Sequence, residues 1–208
     1  MTHDPATSSV PDTYRLLTSL VTPRPIAWVS TLSPAAVPNL APSSFFNAFG
    51  ANPYVLVFSP TTRRDGSKKD APLNLESLAE RVINTVAHSL AAPINATAAE
   101  LPHDTSELPH DTSEFPHAGL TATPSQKVRP PRVALALAHL ECTVLQIIPN
   151  GSGPNSAKPV IAQVQLFHVS DTVLTPNHEV DPQKLDTLSR LGGNLYATTR
   201  DTFAINRP

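Results

Sequence analysis

The sequence predicts a mainly β fold, a closed or half-closed antiparallel barrel with a few peripheral helices. Three observations carry this reading. Segments rich in β-branched and aromatic residues, bounded by proline, recur along the chain, as in "PIAWVSTLS" (25–33) and "YVLVFSP" (54–60). Two long apolar runs, "RVALALAHLECTVLQIIP" (132–149) and "KPVIAQVQLFHVSDTVL" (158–174), flank the turn-forming "NGSGPNSA" and form an antiparallel hairpin. Strands and helices do not alternate regularly, which argues against a βαβ sheet.

The elements follow in order. "VPNLAPSSFFNAFG" (37–50) is extended, and Pro38 and Pro42 within it suit an edge strand or a bulge rather than a central strand. Hydroxyls and amides among its aromatics, at Ser43, Ser44 and Asn47, are more than a core strand needs. "NLESLAERV" (74–82) reads as a short helix with Asn74 as N-cap, and "RVINTVAHS" follows as a strand. "SLAAPINATAAE" (89–100) becomes helical after Pro93. "DPQKLDTLSRLGG" (181–193) reads as a helix capped by Asp181, with Pro182 at its first position and Gly192 or Gly193 near its end.

At 208 residues the chain fits a single domain spanning 1–208, with a loop extension at about 100–130. A formal charge of −2, from 15 basic and 17 acidic residues, provides no field for nucleic acid or an anionic membrane. No apolar run approaches the ~20 residues that span a bilayer. The opening "MTHDPATSSVPD" lacks the regions of a signal peptide. One cysteine, Cys142, lies among apolar neighbours and reads as a buried structural thiol, so a cytoplasmic setting is expected.

"LPHDTSE" occurs twice in tandem, at 101–107 and 108–114. Two copies are too few for a solenoid, and proline every seventh residue forbids a continuous helix. His103, His110 and His117 share this spacing, with Asp104 and Asp111 beside the first two, but the pattern matches no compact ligand set. A duplicated surface loop is the better account, and no metal is expected.

No phosphate-loop motif, dinucleotide glycine fingerprint or nucleophile elbow is present. An anion must therefore be held by hydroxyls, backbone N–H groups and scattered cations. Ser30, Thr31, Ser43 and Ser44 supply hydroxyls. Arg63, Arg64, Lys68 and Lys69 cluster in "TTRRDGSKKDAPLN", a solvated loop or one wall of a phosphate pocket.

The blocks "TPRPIAWVST", "PNLAPSSFFNAFGANPYVLVFSP", "KKDAPLN", "RVINTV", "SEFPHAGLT", "VRPPRVALALAHLEC" and "RLGGNLYATTRDTFAINRP", in this order, resemble the flavin reductase-like family of FMN-binding split barrels. The resemblance runs from about Tyr14 to the C-terminus. It implies a Greek-key split β-barrel working as a homodimer, with FMN, in preference to FAD, near the subunit interface. It places the phosphate and ribityl chain near Trp28, Ser30, Thr31, Ser43 and Ser44, and the flavin ring along Phe45, Phe46 and Asn47. Lys69 and Arg64 are implied for the phosphate, with Asn74 fixing their loop. Tyr196 is expected to pack the terminus. In the family "SEF…AGLT" lies on the way into the site, so the duplication beside it is a candidate lid.

The implied activity is NAD(P)H-dependent hydride transfer to flavin, whose N5 carries the chemistry without a catalytic protein residue. Reduced flavin then serves a monooxygenase partner or another acceptor; the alternative is a non-enzymatic FMN electron carrier. Two departures stand out. Ala71 occupies the place of a usual Thr after the Lys-Asp pair, and "SPAAVPN" has no glycine where the family's turn has one, so this turn must differ.

Overall fold

The computed structural model describes residues 1–60, 79–98, 113–151 and 156–206. A seven-stranded antiparallel sheet dominates it. In chain order its strands are β2 (Ala27–Leu32), β3 (Pro38–Ser43), β4 (Phe46–Ala51), β5 (Tyr54–Phe58), β6 (Glu80–Asn84), β9 (Ala138–Ile147) and β10 (Val160–Val169). Their spatial order is β3-β2-β6-β9-β10-β5-β4.

The two ends of that order, β3 and β4, are joined in sequence by Ser44 and Phe45 alone. A chain can leave one sheet edge and enter the other across two residues only if the sheet curls until its edges meet. Two hydrogen bonds hold this seam. Ser43 Oγ donates to the Ser59 carbonyl (3.1 Å), and the Ser59 amide donates to the Phe45 carbonyl (2.8 Å). Pro42, one residue from the break, matches the expected edge position. The split barrel predicted by the sequence is the fold observed.

The pleat of β2 separates two cores. Ala27 and Val29 face the barrel interior with Leu56, Phe58, Ile83, Cys142 and Val160. Ile26 and Trp28 face outward with Leu40, beneath Ile94 of helix α2 (Ala91–Ala96) and Phe115 of the single-turn α3 (Glu114–His117). Trp28 and Cys142 are both fully buried. Burial and the neighbouring Glu141 push the Cys142 thiol up to about 12 against the opposing pull of Arg81, so it is inert, as expected of a structural thiol.

Beside the barrel lies a small sheet of β1 (Arg24–Pro25), β11 (Leu188–Arg190) and β12 (Tyr196–Thr198). Helix α1 (Val10–Leu20), capped by Ser9, packs near it. The strands β7 (Ala122–Thr123) and β8 (Arg132–Val133) pair separately. Among the described residues no helix is long and apolar enough to cross a membrane.

The long hairpin is as predicted, with β9 and β10 paired from Ala138↔Val169 to Ile147↔Val160 and two register shifts. Other elements differ. The helix expected over 74–82 lies largely outside the described residues, and its end from Glu80 is part of β6. Helix α2 begins two residues before Pro93 rather than after it. The C-terminal helix is a single turn, α4 (Pro182–Leu185), with Asp181 capping Gln183 and Lys184 as expected. Asp186, at φ 45°, turns left-handed and stops it, which frees Leu188–Arg190 to pair as β11. Arg190 then stacks its guanidinium 4.5 Å from the Tyr196 ring centroid.

The glycine-free turn between β2 and β3 has a physical answer. Its amides are satisfied by Ser33, which bonds Val37 through both backbone (2.9 Å) and Oγ (3.1 Å). Ala36 takes the left-handed conformation at φ 63°, the geometry that glycine adopts without a Cβ clash. Ala36→Gly is expected to raise stability by about 1 kcal/mol, read as an increased midpoint of thermal unfolding; an unchanged or lower midpoint contradicts the strain.

Candidate functional site

The seam where β3 gives way to β4 gathers the polar groups of "NLAPSSFFN". Ser43 is committed to Ser59, and the hinge pair Ser44 and Phe45 is half-buried. Phe45 meets Tyr14 of α1 edge-on, with centroids 6.4 Å apart. Phe46 packs against the interior core, whereas Phe49 is exposed. Asn47 is exposed, and its Oδ1 accepts from the Ala48 amide at 2.8 Å.

Ser59, just after the end of β5, joins this group, and sequence reading missed it. Its Oγ is buried without a hydrogen-bond partner among the described residues, an arrangement that costs free energy unless something completes it. The available signal was position, since Ser59 stands between an aromatic strand and the basic segment.

The remaining predicted residues separate into two places. Thr31 pairs with Asn39, and Ala27 pairs with Ser43, so Thr31 and Ser43 lie at opposite ends of the β2–β3 ladder. Four residues of strand put them ~13 Å apart, too far to share one phosphate. Thr31 Oγ1 is 3.4 Å from Asn39 Oδ1. Trp28 and Ser30 are on the other face of β2 from Thr31 by strand alternation. Both are fully buried, and the Trp28 indole N–H donates to Thr97 Oγ1 at 2.9 Å. Trp28 packs with Ile94 of α2 and Phe115 of α3, and Thr31, on the opposite face, is buried as well. Ser30 Oγ, too, has no partner among the described residues. Arg64, Lys69 and Asn74 lie outside the described residues, as do Ala71 and most of the repeat.

At the Thr31 end, Glu114 was unremarked in the sequence except as part of "SEF". Its buried carboxylate accepts from Asn39 Nδ2 (2.8 Å) and from the Leu40 amide (3.0 Å). The contact spans about 75 residues of sequence and has no local signature. Among the described residues no group of three or more His, Cys, Asp or Glu side chains is arranged to hold a metal.

These donors fit a flavin in chemistry. An aromatic flanked by hydroxyls suits a ring that is apolar on its faces and polar at its edge, and the uncompleted Ser59 hydroxyl offers a further contact at the seam.

The curled sheet closed at this seam defines the split-barrel class of fold, and comparison narrows it. Residues 19–182 match the flavin reductase like domain. A protein of Deinococcus radiodurans, itself uncharacterized, is 37% identical over 201 residues, covering 93% of this chain and 84% of its own. The structure of nitrilotriacetate monooxygenase component B from Bacillus cereus superimposes with a TM-score of 0.88 at 32% identity, covering 99% and 98% of the two chains. The 2-nitrobenzoate 2-nitroreductase of Pseudomonas fluorescens shares the fold, with a TM-score of 0.86 at 24% identity over 100% and 96%. The chain belongs to the flavin reductase-like family and is a flavin-related oxidoreductase.

Proposed function

We propose that this protein is an NAD(P)H-dependent flavin oxidoreductase holding FMN along the seam between β3 and β4. The observation that carries this is the buried Ser59 hydroxyl beside Ser44 and Phe45, which has no hydrogen-bond partner among the described residues, in a chain of this family. FMN, when bound, supplies the hydride-accepting centre that no side chain provides. The chain's residues bind, orient and exclude water. Phe45, steadied by Tyr14, offers an aromatic wall, and backbone N–H groups around Ser44–Asn47 face the polar ring edge, where they favour added negative charge. Ser44 and Ser59, with Lys69 and Arg64 from the segment that follows, whose loop Asn74 fixes, take the phosphate.

The same reading makes the protein a cytoplasmic homodimer. Val10, Tyr14, Leu17 and Val21 form an exposed apolar stripe along α1, a surface that a second copy would cover; a monomeric mass by sedimentation would contradict it. As in a two-component system of the kind the Bacillus cereus protein's name describes, reduced flavin would serve a monooxygenase component.

The test is an absorbance spectrum after incubation with FMN, followed by anaerobic NADH and then NADPH. Flavin bands near ~450 nm that bleach with one nucleotide support the reductase and name its donor. Bands that persist with both nucleotides favour a non-enzymatic electron carrier. Failure to retain or bind FMN refutes the reading.

A further inference from the structure

We infer that the C-terminal arm, residues 201–206, crosses to a second copy of the chain and lies along its helix α1, seating Phe203 and Ile205 on the apolar stripe; the inference rests on the homodimer reading above. Every residue of the arm is exposed, and none is in a helix or strand. Phe203 and Ile205 keep 88% and 79% of their surface open, an unfavourable end to a chain unless something covers it. In an extended chain, residues two apart face the same side, ~6.7 Å from one another. On α1 the pairs Val10–Tyr14 and Leu17–Val21 stand four residues apart, which on a helix is one face and ~6 Å. The two spacings match. An extended arm over residues 201–206 reaches ~20 Å, enough for the ~16 Å length of α1.

The arm starts on the wrong side to cover the α1 of its own chain. The tip of the β11–β12 hairpin lies against the C-terminal end of α1. There Arg24 bonds the carbonyls of Thr18, Val21 and Leu191, and a Cβ at Gly192 would run into Ser19. From that tip β12 runs back along β11, pairing Tyr196 with Arg190 and then Thr198 with Leu188. Beyond its far end Arg200 is fastened to both Asp186 oxygens (2.9 and 2.7 Å) and to His88 Nδ1 (3.0 Å). The arm thus leaves from a pinned root, at the end of the hairpin away from α1. Two copies exchanging arms about a two-fold axis make the same contact twice. The barrel's exposed aromatics are a poorer seat, since Tyr54 and Phe167 already turn edge-on to each other at 6.0 Å. Docked on α1, the arm lies against Tyr14, whose ring meets Phe45 of the seam, so each copy braces its partner's aromatic wall.

The experiment has two parts. By sedimentation, the wild type is expected to be a dimer, and the full-length Phe203→Ser/Ile205→Ser variant to raise the dimer dissociation constant about 100-fold. To identify the seat, Leu17→Cys and Ile205→Cys chains carrying different tags are co-expressed and treated with a short bis-maleimide. Both positions are exposed and the native Cys142 is buried, so the new thiols react first. A cross-linked species holding one chain of each kind is the expected product. An unchanged dissociation constant overturns the inference, and so does a link formed between two Leu17→Cys chains but never between Leu17→Cys and Ile205→Cys. A monomeric wild type overturns the homodimer reading as well, whereas a dimer without the arm-to-helix link overturns this inference alone.

Discussion

Glu141→Gln is expected to cost about 3 kcal/mol of stability, the largest effect of any single isosteric change in the barrel. Glu141 lies on β9 with no exposed surface. Its carboxylate accepts from the amides of Gln126 (2.8 Å), Lys127 (2.5 Å) and Val128 (3.2 Å), and from His168 Nε2 (2.6 Å). Four donors converge on two oxygens, and they tie the segment before β8 to the barrel wall. An amide in this place puts its own N–H groups against donors, leaving buried N–H groups unsatisfied. Urea unfolding should show a lower midpoint at unchanged slope; a shift under ~1 kcal/mol would mean that solvent already reaches these amides.

The pH dependence has a definite sign. Burial pushes the Glu141 carboxyl up, but the amides of Gln126 and Lys127, with His168, more than offset this and hold it below its ordinary value. A depressed carboxyl stabilises the fold fully above the unfolded-state value of ~4.3, and that contribution is lost as pH falls through the folded value. The Gln variant has no such proton to bind. The stability gap between wild type and variant should therefore be widest near neutrality and narrow below pH ~4. A gap that is constant with pH would show that Glu141 stabilises by shape rather than charge.

What the sequence could reveal about this fold follows from the range of the interactions involved. The β9–β10 hairpin was legible because apolar runs flank a local turn signal, and the edge position of β3 because Pro42 marks it; the break at Ser44 and Phe45 was not. Asp181 and Pro182 correctly announced a helix start. The stop at Asp186 was not legible, since a left-handed aspartate there is chosen by the pairing of Leu188–Arg190 with β1 and β12. Helix α1 was missed although Ser9 and Pro11 are ordinary start signals and Val10, Tyr14 and Leu17 recur at helical spacing.

The site divides in the same way. Its aromatics and hydroxyls stood out locally in "SSFFN". The separation of Ser30 from Thr31 was available from strand alternation alone, but composition had grouped them. Glu114 and Ser59 were out of reach because their roles come from pairings between segments distant in the chain.

Arg24→Ala is expected to detach α1 and the C-terminal hairpin from the barrel, at a cost of about 3 kcal/mol. Arg24 is buried on β1. One guanidinium nitrogen donates to the carbonyls of Thr18 and Val21 (2.7 Å to Val21) at the end of α1, and the other to the Leu191 carbonyl (3.0 Å) after β11. The cation thus completes carbonyls at a helix C-terminus, where the helix dipole also favours it, and fastens two distant segments to one strand. A lysine has one ammonium in place of the fork and cannot span all three carbonyls, so Arg24→Lys should recover less than half of the loss. Hydrogen exchange distinguishes local from global effects: amides of residues 10–21 and 188–198 should lose protection while those of β9 and β10 keep theirs. Uniform loss of protection would show instead that α1 and the barrel unfold as one unit. If the flavin lies along the seam, FMN affinity should fall with the same substitution, because Tyr14 on α1 is what steadies Phe45. Lost α1 protection with unchanged FMN affinity would therefore separate the helix from the site and place the aromatic wall on Phe45 alone.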